Sequence, residues 1–156
     1  MLPIRLVVPG LLRYRAVAVR MVAEAARMVS GSRPRDEADD ARSYDLRDPF
    51  DAAVVSAFGE IFNNVAVHAY DRKGGGSIEI AITPSERDIW IEVRDEGQPF
   101  ALADVAPMAD IDPDGLPERG MGIHIAKTML DEMIYEPGPP NLWRLCKRID
   151  WQRGGA

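Results

Sequence analysis

Residues 77–95 read "SIEIAITPSERDIWIEVRD", and no other stretch narrows the possible folds so far. Ile78, Ile80 and Ile82 alternate with other residues, as do Ile89, Ile91 and Val93. Successive side chains leave a strand on opposite sides, so this spacing gives each segment one apolar face. Residues 84–88 join the two as a hairpin loop. An antiparallel pair with one apolar and one polar face is covered on one side only. The cover has to come from elsewhere in the chain.

Helical periodicity supplies it. In "PFDAAVVSAFGEIFNNVAVHAY", Val54, Phe58, Ile61 and Val65 form an apolar stripe. Pro49 fits the first helical position, which tolerates its missing N–H, and Lys73-Gly74-Gly75-Gly76 closes the segment. Residues 11–29 predict another helix through Leu12, Val19, Val22, Ala26 and Val29, after a strand at 4–8 stopped by Pro9-Gly10. Gly120 opens a third helix that runs through Met133, with Ile123, Ala126, Leu130 and Met133 facing the core. "EPGPPN" turns the chain into a last strand at 142–149. The order β-α-α-β-β-α-β predicts an α+β fold: a two-layer α/β sandwich, its mixed, mostly antiparallel sheet carrying helices on one face. A chain of 156 residues makes one domain, 1–150, with an exposed loop at 30–48 and a disordered tail at 151–156.

Charge and cysteine content exclude several classes. Nineteen basic and twenty-five acidic side chains leave −6, against general binding of nucleic-acid phosphate. Cys146 is the single cysteine, so no internal disulfide forms, and with two histidines it is too little for structural zinc. No apolar run is expected to approach the ~18–20 residues that span a bilayer. The N-terminus lacks the pattern of a signal peptide. The expectation is a cytoplasmic protein with no membrane and no direct nucleic-acid contact.

Three short patterns carry chemistry. Glu60 and Asn64 stand four apart on the second helix and so share a face. There a carboxylate able to take a proton lies one turn from an amide oxygen able to ligate Mg²⁺, which wants oxygen ligands and keeps several waters. The alternative is an ordinary solvated pair, although two adjacent asparagines in mid-helix argue for another reason. His68, one turn on, either meets a phosphate or caps the helix end. Asp95 ends a strand whose alternation is expected to turn it away from the Ile91/Val93 face. A carboxylate there can accept from an exocyclic amine such as adenine's, and Gly97, lacking Cβ, lets a flat ligand approach the backbone. A plain turn is the competing reading. Gly120-Met121-Gly122 opens a helix after an irregular segment, 98–119, that contains four prolines. Backbone N–H groups at a helix start can seat phosphate, and a hinge is the other possibility. The long segment fits a lid, with Arg119 and the N–H groups near Gly120 and Gly122 nearest to a terminal phosphate.

"GEIFNNVAVHAY", "VRDEGQPF" and "DGLPERGMGIHIAKTMLDEMIYE" together resemble the N, G1 and G2 boxes of the GHKL ATPase superfamily. More narrowly, they resemble its anti-sigma-factor serine kinases, the bacterial partner-switching kinases. The resemblance covers residues 49–149. It implies ATP or ADP bound with Mg²⁺, Glu60 as general base, Asn64 as metal ligand and Asp95 as adenine reader. His68, Gly97, Arg119, Gly120, Met121 and Gly122 complete the nucleotide site. It also implies a homodimer that phosphorylates a serine on a STAS-fold antagonist and binds a sigma factor when that antagonist is not free. The last strand departs from the family's Gly-Thr-Thr-like run: "PPNLWRL" offers Asn141 in place of a hydroxyl, and Trp143 adds bulk. The 30–48 segment is also long for the family. Two other readings compete. One is a nucleotide-gated binding module without useful phosphotransfer. The other is the ATPase domain of a sensor histidine kinase, whose dimerising helical hairpin and phosphoacceptor histidine do not fit in this length.

Overall fold

The computed structural model describes residues 2–31, 48–70, 75–100 and 121–150. Among these, five strands form one sheet: β1 (Ile4–Pro9), β2 (Ser77–Pro84), β3 (Asp88–Asp95), β4 (Glu132–Glu136) and β5 (Asn141–Arg148), in the order β1-β2-β3-β5-β4. All four pairings are antiparallel. Three helices, α1 (Arg15–Ser30), α2 (Pro49–Asn64) and α3 (Met121–Met129), complete the α+β fold. A π-turn, Val65–Ala69, prolongs α2 by five residues.

The β2–β3 hairpin forms as its alternation requires. Ile78, Ile80, Ile82, Ile89, Ile91 and Val93 are all buried, and Ile80 faces Val93 as Ile82 faces Ile91. Ser85 closes the turn. Its N–H donates to the Asp88 carbonyl (2.8 Å), and its Oγ accepts from the N–H groups of Arg87 (3.2 Å) and Asp88 (3.1 Å). The other face is polar, with Arg5 paired to Glu79 (3.0 Å) and Glu92 beside Arg94 (3.3 Å). These exposed pairs contribute little to stability; the buried face holds the sheet.

Helix α2 starts as its sequence indicates. Asp48 caps it by accepting from Phe50 N–H (2.8 Å) and Asp51 N–H (3.4 Å), with Pro49 in the first turn. Val54, Phe58, Ile61 and Val65 are buried, and the helix lies between α1 and α3 in the layer over the sheet. The expectation about apolar runs needs correcting: Pro49–Ala69 is long and apolar enough to span a bilayer by length and composition. Of its apolar window, 67% is buried within the fold, which is the mark of a central core helix.

Two boundaries differ from expectation. The first helix begins later: Leu12–Tyr14 form a 3₁₀ turn, and Leu12 is exposed while Val19, Val22, Ala26 and Val29 are buried. The tighter turn puts Leu12 out of phase with the α-helical stripe. The third helix does not reach Met133. It stops at Met129, and Glu132–Glu136 becomes the edge strand β4, pairing with β5 so that Met133 faces Leu145 and Tyr135 faces Trp143. Met133 and Leu130 still pack on the core, Met133 from a strand. Asp131 makes the junction, its N–H donating to the Cys146 carbonyl (2.9 Å) and its carboxylate accepting from Arg148 N–H (2.6 Å).

Candidate functional site

The side chains singled out by sequence collect where α2 and its π-turn pass the end of β3, the start of β5 and the start of α3. Asp95 is buried, and the expectation that alternation turns it away from Ile91 and Val93 is wrong. Residues 91, 93 and 95 share parity and hence a face. The register confirms this by setting Asp95 opposite Asn141 as Val93 is set opposite Trp143. The carboxylate therefore ends the covered face, beneath the helices.

Two residues hold it. Asp95 Oδ1 accepts from Gly97 N–H (2.9 Å) and from Asn141 Nδ2 (2.9 Å). Asn141, itself buried, also donates from Nδ2 to the Gly97 carbonyl (2.9 Å) and accepts at Oδ1 from Gly138 N–H (2.9 Å). Both amide hydrogens and the amide oxygen are thus engaged within the protein, which fixes the orientation of the amide. Burial raises the Asp95 carboxyl above its ordinary value, the hydrogen bonds from Asn141 and Gly97 lower it, and the Glu96 charge raises it.

Gly97 also has a use within the fold. A Cβ there would overlap the Ala69 carbonyl, so its missing side chain lets the backbone of the π-turn approach closely. Gln98 N–H donates to that same carbonyl (3.0 Å). The surrounding amides are also engaged: Glu96 N–H donates to Tyr70 Oη (2.8 Å) and Phe100 N–H to Tyr135 Oη (2.8 Å). Pro99 has no N–H, so every donor from Glu96 to Phe100 has a partner.

Four aromatic rings adjoin this end. Phe100 meets His68 (5.7 Å between centroids), Tyr135 (6.0 Å) and Trp143 (5.8 Å) edge-on, and Tyr135 stacks on Trp143 at 4.3 Å. The bulk of Trp143 is absorbed here: the indole is fully buried, and its Nε1 has no hydrogen-bond partner among the described residues. His68 meets the Phe100 ring edge-on at this end of the helix. Phe100, Tyr135 and Tyr70 carried no local signal in the sequence. Their roles come from long-range pairing.

At the other end, Asn64 Nδ2 donates to the Glu60 carbonyl one turn back (2.8 Å), leaving Oδ1 as the available acceptor. That arrangement fits a single amide-oxygen ligand to a hard cation. No group of three or more His, Cys, Asp or Glu side chains among the described residues is placed to hold a metal ion. Any cation here would draw its remaining ligands from water and phosphate. The Glu60 carboxylate lies against Gly122 in the first turn of α3. Met121 is the first residue of α3; Arg119, Gly120, the bulk of the 98–119 lid, most of the 30–48 loop and the 151–156 tail lie outside the described residues. From Glu60 to Ala69 is nine residues, roughly 13 Å along the helix axis.

A covered antiparallel sheet with a buried carboxylate at one end of a central helix and a Glu–Asn pair at the other defines a nucleotide-binding α+β sandwich. The chain belongs to the family of histidine kinase-like ATPase domains, whose model matches residues 10–146, and nucleotide binding follows from that membership. Curated relatives narrow the likeness. The chain is similar to an anti-sigma F factor of Clostridium novyi, 30% identical over 99 residues, covering 61% of this chain and 67% of that protein. It is also similar to anti-sigma F factors of Bacillus licheniformis (25% over 88 residues) and Bacillus velezensis (24% over 88 residues). Each of these two matches covers 55% of this chain, which spans 60% of the length of either relative.

Proposed function

We propose that this chain is a cytoplasmic, ATP-dependent protein-serine kinase of the anti-sigma-factor kind. It phosphorylates a serine on a STAS-fold antagonist protein, sequesters a sigma factor or similar regulator, and acts as a homodimer. The observation that carries the reading is the pairing of ends along α2: a buried carboxylate at Asp95 and, about two and a half turns away, Glu60 with the Oδ1 of Asn64 left as an acceptor. The names of the relatives support the regulatory part.

Mg²⁺-ATP would supply the transferable phosphoryl group, and Asn64 Oδ1 would hold the metal. Asp95 accepts a hydrogen bond from the adenine amine through Oδ2, since Oδ1 already has two donors. Glu60 takes the proton from the attacking serine hydroxyl as its oxygen bonds to the γ-phosphorus and ADP leaves. Arg119 and the N–H groups of Gly120 and Met121 are the proposed phosphate contacts.

Transfer of labelled phosphate from ATP to a STAS-domain acceptor, together with calorimetry, tests this. Asp95→Ala should weaken ADP binding about 5- to 150-fold, the cost of leaving a buried donor without its acceptor. Glu60→Gln should keep binding and lose about 10²–10⁴-fold in transfer. Unchanged ADP affinity in Asp95→Ala removes Asp95 from the site. A second reading, a nucleotide-gated binding module, draws on Asn141: both its amide hydrogens are engaged in the protein, leaving none for the nucleotide. ATP binding without transfer to any serine acceptor would establish that reading instead.

A further inference from the structure

A glycine at the start of a nucleotide-binding helix is ordinarily read as room for phosphate, but at Gly122 the room is already used. A Cβ built there would overlap Glu60 Oε2 and come within 3.1 Å of Glu60 Cδ. The carboxylate of α2 therefore lies across the first turn of α3, in the volume that any other residue at 122 would fill. We infer that Gly122 is a positioning residue for Glu60: by having no side chain, it lets the carboxylate rest against α3 and so sets where its oxygens point. The inference rests on Glu60 being the base of the proposed reaction.

The physics makes this separable from a folding role. The atom that a new Cβ meets first is the far end of a flexible side chain, so Gly122→Ala is accommodated by rotating Glu60 away rather than by moving a helix. Alanine is also the better helix former, so the substitution should not lower stability. Gly97 is the contrast, since there the obstacle is backbone. Gly122→Ala should thus leave the fold intact while moving the carboxylate by about the width of a methyl group. Misplacing a reacting group by ~1 Å costs on the order of 10²-fold in rate.

The experiment measures phosphoryl transfer from Mg²⁺-ATP to the STAS-fold acceptor, with phosphate release to water as a second readout and ADP affinity by calorimetry. Gly122→Ala should bind ADP within about two-fold of wild type and melt no lower, yet transfer about 10²-fold more slowly. In a Glu60→Gln background the same substitution should cost nothing further, because the group it displaces no longer acts. In a Glu60→Asp background, whose carboxylate is one methylene shorter, the cost should be smaller than in wild type. Wild-type transfer rates in Gly122→Ala overturn the inference. So does a loss that multiplies undiminished in the Glu60→Gln background, and so does loss of ADP affinity, which would return Gly122 to the phosphate seat. A wild-type chain that binds ADP but transfers phosphate neither to serine nor to water overturns the kinase reading itself, and this inference with it.

Discussion

Replacing Asn141 with alanine removes three hydrogen bonds at one stroke, and their sum sets a measurable expectation. The bond to the Asp95 carboxylate is charge-assisted and worth about 1.5–3 kcal/mol; those with the Gly97 carbonyl and Gly138 N–H are worth about 0.5–1.5 kcal/mol each. Together they predict a loss of about 2.5–6 kcal/mol at neutral pH. For a domain of this size that lowers Tm by roughly 5–20 °C. The pH dependence is the sharper test. Burial raises the folded-state pKa of Asp95, so ionising the carboxylate in the folded protein is unfavourable, and stability falls as pH rises from the unfolded to the folded value. Asn141 opposes that rise by donating to the charged form, and without it the folded pKa moves higher still. The charge-assisted share of the loss is therefore present at neutral pH and fades in acid, as falling pH passes through the raised folded-state value of Asp95. Urea unfolding of wild type and Asn141→Ala at neutral and at acid pH measures it directly. A loss under about 1 kcal/mol at neutral pH, or one equal at the two pH values, refutes the account of this clamp.

Three further outcomes follow from the geometry. Gly97→Ala places a Cβ on the Ala69 carbonyl, and because backbone cannot rotate aside, it should destabilise by about 1–3 kcal/mol in chemical denaturation, unlike Gly122→Ala. Asp48→Ala removes the acceptor of two N–H groups at the start of α2 and should cost about 0.5–2 kcal/mol; a midpoint equal to wild type would show the cap to be idle. Cys146 is fully buried, and burial pushes its thiol up to about 11, so maleimide or iodoacetamide at neutral pH should label it only after denaturant is added.

What sequence reasoning recovered follows the range of the interactions involved. Elements whose signals are local came out well: the alternation of β2 and β3, the stripe of α2, and its start at Pro49. The edge strand β4 was hidden because no Gly or Pro separates Thr128 from Glu136, so the helical pattern runs on into "EMIYE" without punctuation. That stretch becomes a strand through pairing with β5, a contact no local pattern encodes. At the candidate site, Glu60, Asn64 and Asp95 were singled out by residue type and spacing. Phe100, Tyr135 and Tyr70 were not, because a phenol hydroxyl that receives an N–H from a distant turn leaves no trace in its own neighbourhood. The parity of Asp95 was available from counting alone and was misassigned.

The fully bonded run from Glu96 to Phe100 has a mechanical consequence. Each of its amides is tied to a different anchor: the π-turn's exit at Tyr70, Asp95 itself, the Ala69 carbonyl and Tyr135 on the edge strand. Tyr70 is in turn wedged where a Cβ on Gly10 or on Gly76 would sit, and its hydroxyl donates to the Ser77 carbonyl (2.8 Å). The chain therefore leaves β3 from a root held at four anchors, and a pull applied at Phe100 has to break these bonds one after another before it can move Asp95.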